Sequence, residues 1–129
     1  MPYKLGWYHA NRVVFANVYE VTLQEVRCLN EDLVWHLDFG SKPTHLIIDL
    51  SEMRQHPTNI IHLKQTLTFM KHPHLGYMVV VGATALASTL TTILMRLFGV
   101  KYRMFQNMNE ALTFLRQYDR SMIFSIGGD

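Results

Sequence analysis

A chain of 129 residues, 49% apolar and 17% charged, is long enough to bury one core and too apolar for a disordered class. A formal charge of +2 with Lys and Arg scattered singly argues against a nucleic-acid binder built on a basic stripe. A single cysteine, Cys28, excludes an internal disulfide, and no apolar leader opens "MPYKLGWYHA", so a reducing cytoplasmic setting is expected.

The segments "GWYHA" and "VVFANVYE" are aromatic and β-branched and predict two strands joined at "ANR". Thr22 and Glu25 then have the spacing of a capping box. They open a helix on which Leu23, Val26, Leu29, Leu33 and Leu37 recur, with Gly40 as its C-terminal stop. Cys28 lies on this helix and is expected as a small, partly buried packing residue. "THLIIDL" is a near-continuous apolar run, the pattern of a strand covered by helices on both faces. Beyond it, Pro57 or Thr58 is expected to start a helix marked by Ile60, Leu63, Leu67 and Met70 and ended by Pro73.

No charge occurs from Leu75 to Met95, a run long enough to cross a bilayer. Gly76, Gly82 and five hydroxyl residues weigh against a span, and the run divides into a strand, "GYMVVVGA", and a helix. That helix is expected to turn Leu86, Leu90, Ile93 and Leu97 to the core, leaving Leu94 and Phe98 as an apolar flank for a partner. "KYRMF" predicts a last strand, and Asn107 or Asn109 caps "EALTFLRQY". The order β-β-α-β-α-β-α-β-α predicts an α/β fold: a mostly parallel sheet, an antiparallel N-terminal edge hairpin and about four helices. One domain is expected over 1–120. The apolar "SMIFSI" in the tail, 121–129, is expected as an edge strand, a partner contact or a frayed end.

In open α/β sheets, ligands bind at the carboxyl ends of the strands, near a reversal of strand order. That directs attention to "DLSEMRQHPTNI", "VGATALAS" and "FQNMNE". The first join supplies Ser51, His56, Thr58 and Asn59, with His62 just beyond, as candidates for partner contact or modification. Serine, histidine and carboxylate are the residue types of a hydrolytic triad, but no G-x-S-x-G elbow carries them. Gly82 before a helix lacks the further glycines of a phosphate loop, and the seven histidines match no zinc spacing. No catalytic residue, cofactor or metal is expected. The eight methionines serve either a core or an adaptable recognition surface.

The element order, together with "HLIIDLSEM", "VVVGAT" and "YRMFQNMNEALTFL", resembles the STAS superfamily. The closer likeness is to its single-domain SpoIIAA-like branch, over roughly residues 5 to 118. The resemblance implies a four-helix α/β domain that is not an enzyme and that binds protein partners around the loop and helix after the "DLS" strand. Such a partner would be an anti-sigma-like regulator or a second copy in a homodimer. In anti-anti-sigma factors that helix opens with D-S-S-G, whose serine is phosphorylated to break the complex by added charge. The matching positions are Pro57, Thr58, Asn59 and Ile60, so the acidic residue, the second serine and the glycine are absent and Thr58 alone could accept phosphate. The layout is also similar to that of lipid-carrying CRAL-TRIO domains, which implies an alternative: a carrier with an apolar pocket between the sheet and helix two or three.

Overall fold

A computed structural model describes residues 3–54 and 56–118, so the apolar tail at 121–129 lies outside the described residues. The expected fold class is what forms. Strand β1 (Tyr3–His9) pairs antiparallel with β2 (Val13–Val18), and β3 (Thr44–Asp49), β4 (Leu75–Val81) and β5 (Tyr102–Phe105) continue in parallel. Helices α1 (Leu23–Phe39), α2 (Ile60–Thr66), α3 (Ala85–Phe98) and α4 (Met108–Tyr118) follow β2, β3, β4 and β5, with a short 3-10 turn at Thr68–Lys71.

The sheet order is β1-β2-β3-β4-β5. Each crossover therefore moves one place in the same direction, and right-handed crossovers put their helices on one face. The packing agrees. Leu33, Leu63 and Leu94, from α1, α2 and α3, share one cluster with Val14, Leu46 and Val80. Ala111, Leu112 and Leu115 of α4 pack on the other face with Val13, Ile47 and Val79. Among the described strands this sequential order contains no reversal.

Local signals set most element ends. The Thr22 side chain accepts from the Glu25 N–H, and the Glu25 carboxylate accepts from the Thr22 N–H, satisfying two free donors at the start of α1. Gly40 ends α1 with extended backbone rather than the left-handed turn expected of a C-terminal glycine. Its value there is space, because a Cβ would run into Thr44 Oγ1. The Tyr3 hydroxyl donates to Asp32 and ties the edge strand to α1. Partial burial, and then this bond, raises the Tyr3 pKa above the ordinary phenol range. Cys28 is exposed on α1, not part of the packing as the sequence suggests.

The second helix is shorter than its apolar spacing predicts. It stops at Thr66, and the chain tightens into the 3-10 turn. The cause lies on α1: buried Asn30 accepts from the Phe69 N–H (2.8 Å) and donates to Thr68 Oγ1 (2.9 Å). These bonds satisfy backbone and side-chain groups that a continued helix would have used differently. The N-cap is Asn59, whose side chain accepts from the His62 N–H (3.1 Å), and not Pro57 or Thr58.

Helix α3 is rotated relative to the sequence expectation. Ala87, Leu94 and Met95 are its buried residues, and Phe98 packs partly buried against the same core. Leu94 therefore cannot present an apolar flank to a partner. Leu86 and Leu97 are instead 57% and 51% exposed, with Ile93 at 37%. The uncharged run from Leu75 to Met95 divides into β4 and most of α3. Among the described residues, no helix is long and apolar enough to cross a membrane.

Candidate functional site

Because β2 to β5 run parallel, their exits gather at one end of the sheet. The Leu50 N–H donates to the Val81 carbonyl, the Gly82 N–H to Phe105, and the Arg54 N–H to Tyr19. Gly82 holds φ +70, which favours glycine, and a Cβ there would come 2.7 Å from the Ser51 Cβ. The loop after β3 and the turn into α3 therefore touch.

Asp49 organises the loop. Its Oδ1 accepts from the Ser51 N–H (2.9 Å) and from the Ser51 hydroxyl (2.6 Å), closing an Asx-type turn. The Ser51 hydroxyl thus donates to a carboxylate two residues away, not to an imidazole as in a triad. Asn17 Nδ2 reaches Glu52 Oε1 at 3.4 Å. Ser51, Thr58, Asn59 and His62 are exposed, so the loop and the first turn of α2 form one polar surface. Thr58 precedes the cap residue.

His56 departs from that surface. It is half-buried, its Nδ1 lies 3.0 Å from the Pro57 carbonyl, and its ring lines a cavity of about 120 Å³ between the sheet and α1, α2 and α3. Because a carbonyl can only accept, Nδ1 is the donor in this contact. The floor is fully apolar, built from buried residues such as Leu33, Ile48, Phe69 and Met78. The rim holds half-buried Met53, His56 and Pro57 from the loop and Leu90 and Thr91 from α3. His56 and Thr91 are the polar side chains among the described lining residues.

The cavity has a residue-level cause. Helix α3 turns Ala87 and Thr91, one turn apart, toward the sheet side while its leucines at 86 and 97 face out. Two small side chains leave unfilled volume where leucines would interdigitate. Sequence reasoning anticipated a pocket between the sheet and helix two or three, but missed Met53, Ala87 and Thr91 as its makers. The signal available was this pair of small residues inside a leucine-rich helix.

His72, His74 and His45 are engaged structurally. His72 Nδ1 accepts from the His74 N–H, which leaves Nε2 to donate to Asp38 (2.7 Å), and His74 Nδ1 meets the Leu37 carbonyl at the end of α1. His45, fully buried, accepts from the Tyr77 N–H through Nδ1. Among the described residues no group of three or more His, Cys, Asp or Glu side chains could hold a metal. In comparisons with known proteins, no family model matches the chain and no curated protein matches it.

Proposed function

We propose that the chain is a non-enzymatic, STAS-like interaction module that works by self-association or by binding a regulatory protein of the anti-sigma type. The observation that carries this reading is the outward stripe of α3. Leu86, Ile93 and Leu97 lie seven and four residues apart on one exposed helix face, with half-buried Leu90 between them. A single exposed leucine is ordinary, but a row along one helix is the pattern of a surface that packs on another helix. A second copy related by a twofold axis would cover the row with its own equivalent. The adjoining Ser51–Asn59 loop supplies the polar margin that such interfaces carry. Sedimentation equilibrium tests this reading. A dimer that becomes monomeric in Leu86→Glu/Leu97→Glu, with the fold retained by circular dichroism, supports it. A wild-type monomer at every soluble concentration removes self-association.

A second reading is favoured by a different observation, the apolar cavity. It makes the chain a small-ligand carrier. Native mass spectrometry of the freshly purified protein checks this: a discrete added mass, lost on mild activation, supports carriage, and bare protein opposes it.

A further inference from the structure

Lysine and arginine are scattered along the chain, yet the fold collects several of them at one corner. From Lys64 to Tyr118 there are six lysines and arginines and a single acid, Glu110. Lys71 closes the 3-10 turn ahead of β4, Arg96 lies in the last turn of α3, and Lys101 stands just before β5. All three therefore share the end of the sheet where β4 and β5 begin, and Arg103 follows within β5. Among the described residues, none of these four cations is within ion-pair distance of a carboxylate. Asp38 comes to the same end but is held by His72 at 2.7 Å. Glu110 sits beyond the far end of β5, in the first turn of α4.

The same corner holds a strand edge. Among the described residues β5 pairs with β4 alone. The Lys101 and Phe105 carbonyls accept from the Met78 and Gly82 N–H groups on the β4 side, so by the alternation of a strand the backbone groups of Tyr102 and Met104 point the other way. An arginine guards that edge. The Arg103 guanidinium donates to the Tyr102 carbonyl at 3.1 Å and lies over the Tyr77 and Phe114 rings. A carboxylate draws a guanidinium more strongly than a neutral carbonyl does, and once Arg103 turns to it the Tyr102 carbonyl is open to a peptide N–H. Lys101 and Arg103 are two positions apart and lie on one face, so acids at alternate positions of an added strand meet both. A groove lined by Tyr77, Val100 and Met104 besides these residues borders the edge. A nucleic-acid strand fits less well: it brings no backbone N–H to the carbonyl, and Arg103 already lies over the rings on which a base would stack.

We propose that the β5 edge is a docking site for an extended acidic segment of a protein partner, added to the sheet as a further strand. Its carboxylates meet Lys101 and Arg103, and its backbone pairs with Tyr102 and Met104. Lys71 and Arg96, beside the edge, steer such a segment toward it. The inference goes beyond the two readings above and uses neither the α3 row nor the cavity.

Fluorescence anisotropy tests it with three labelled probes: a peptide alternating glutamate and valine, its lysine–valine counterpart, and oligo-uridine. The glutamate peptide should bind about tenfold more tightly than the lysine peptide at low salt, an advantage that shrinks at about 0.5 M salt. N-methylation of its backbone at alternate residues should abolish binding, because main-chain pairing is lost. Lys101→Glu, at an exposed position, should weaken the glutamate peptide about tenfold. Arg27→Glu, the same change of charge at an exposed position on α1, should leave it within about twofold. Equal losses in the two variants reduce the effect to net charge and overturn the site. Binding that survives N-methylation overturns strand addition, and oligo-uridine bound more tightly than the glutamate peptide overturns the choice of partner. No binding of any probe overturns the proposal and leaves the cations as guards that keep the edge unpaired.

Discussion

The two faces of the sheet are packed by different means. On one, three helices bring leucines, valines and methionines together, yet a cavity remains beneath α3. On the other, α4 is the one helix among the described residues, and it packs over β2 to β5. There Tyr77 and Phe114 meet edge to face at 5.0 Å, Phe105 and Phe114 are tilted with ring centres 5.7 Å apart, and Arg103 lies over both Tyr77 and Phe114. The number of helices does not decide how well a face is filled. The size of the side chains at a few contact positions does, and aromatic rings cover on one side what alanine and threonine leave open on the other.

The largest expected effect comes from deleting volume on each face in turn. Leu115→Ala, under α4, should cost about 3–5 kcal/mol in urea denaturation, because close neighbours relax only partly into the space. Leu63→Ala, bordering the cavity, should cost about 2–3 kcal/mol, since part of that side chain already faces no partner atoms. Equal losses would break the contrast. Next is Asn30→Ala, expected to cost about 2–3 kcal/mol by leaving the Phe69 N–H buried without an acceptor. Amide exchange should show the same change as faster exchange at Phe69. A smaller effect of opposite sign is expected for Ala87→Leu, a gain of about 0.5–2 kcal/mol from filling the void, read as a raised melting temperature. The smallest is Leu97→Gln, within about 0.5 kcal/mol of wild type because the side chain is half exposed, while dimerisation, if it runs through α3, weakens.

What the sequence made legible was what is decided locally. The Thr22–Glu25 box, the Asn107 side chain accepting from the Glu110 N–H, and the alternation of strands and helices all depend on residues a few positions apart. The face of α3 does not. Spacing of the largest residues picks out Leu86, Leu90, Ile93 and Leu97, but the helix is apolar on several sides, and close approach to the sheet favoured the side bearing Ala87, Leu94 and Met95. The end of α2 was equally hidden, because the residue that sets it, Asn30, lies nearly forty positions upstream. Within the candidate site, the polar loop was readable from its composition. The inward turn of His56 was not, since a histidine beside a proline in a loop carries no mark of which way it faces.

The sequential strand order has a consequence for how the chain comes into being. Every described strand after the first pairs with its predecessor in the chain, so none of them is kept waiting for a partner made much later, and the pairings close comparatively short loops. On the ribosome, each new helix–strand unit meets an edge already formed. The sheet can lengthen at the pace of translation, with α4 the last described element to cover its face.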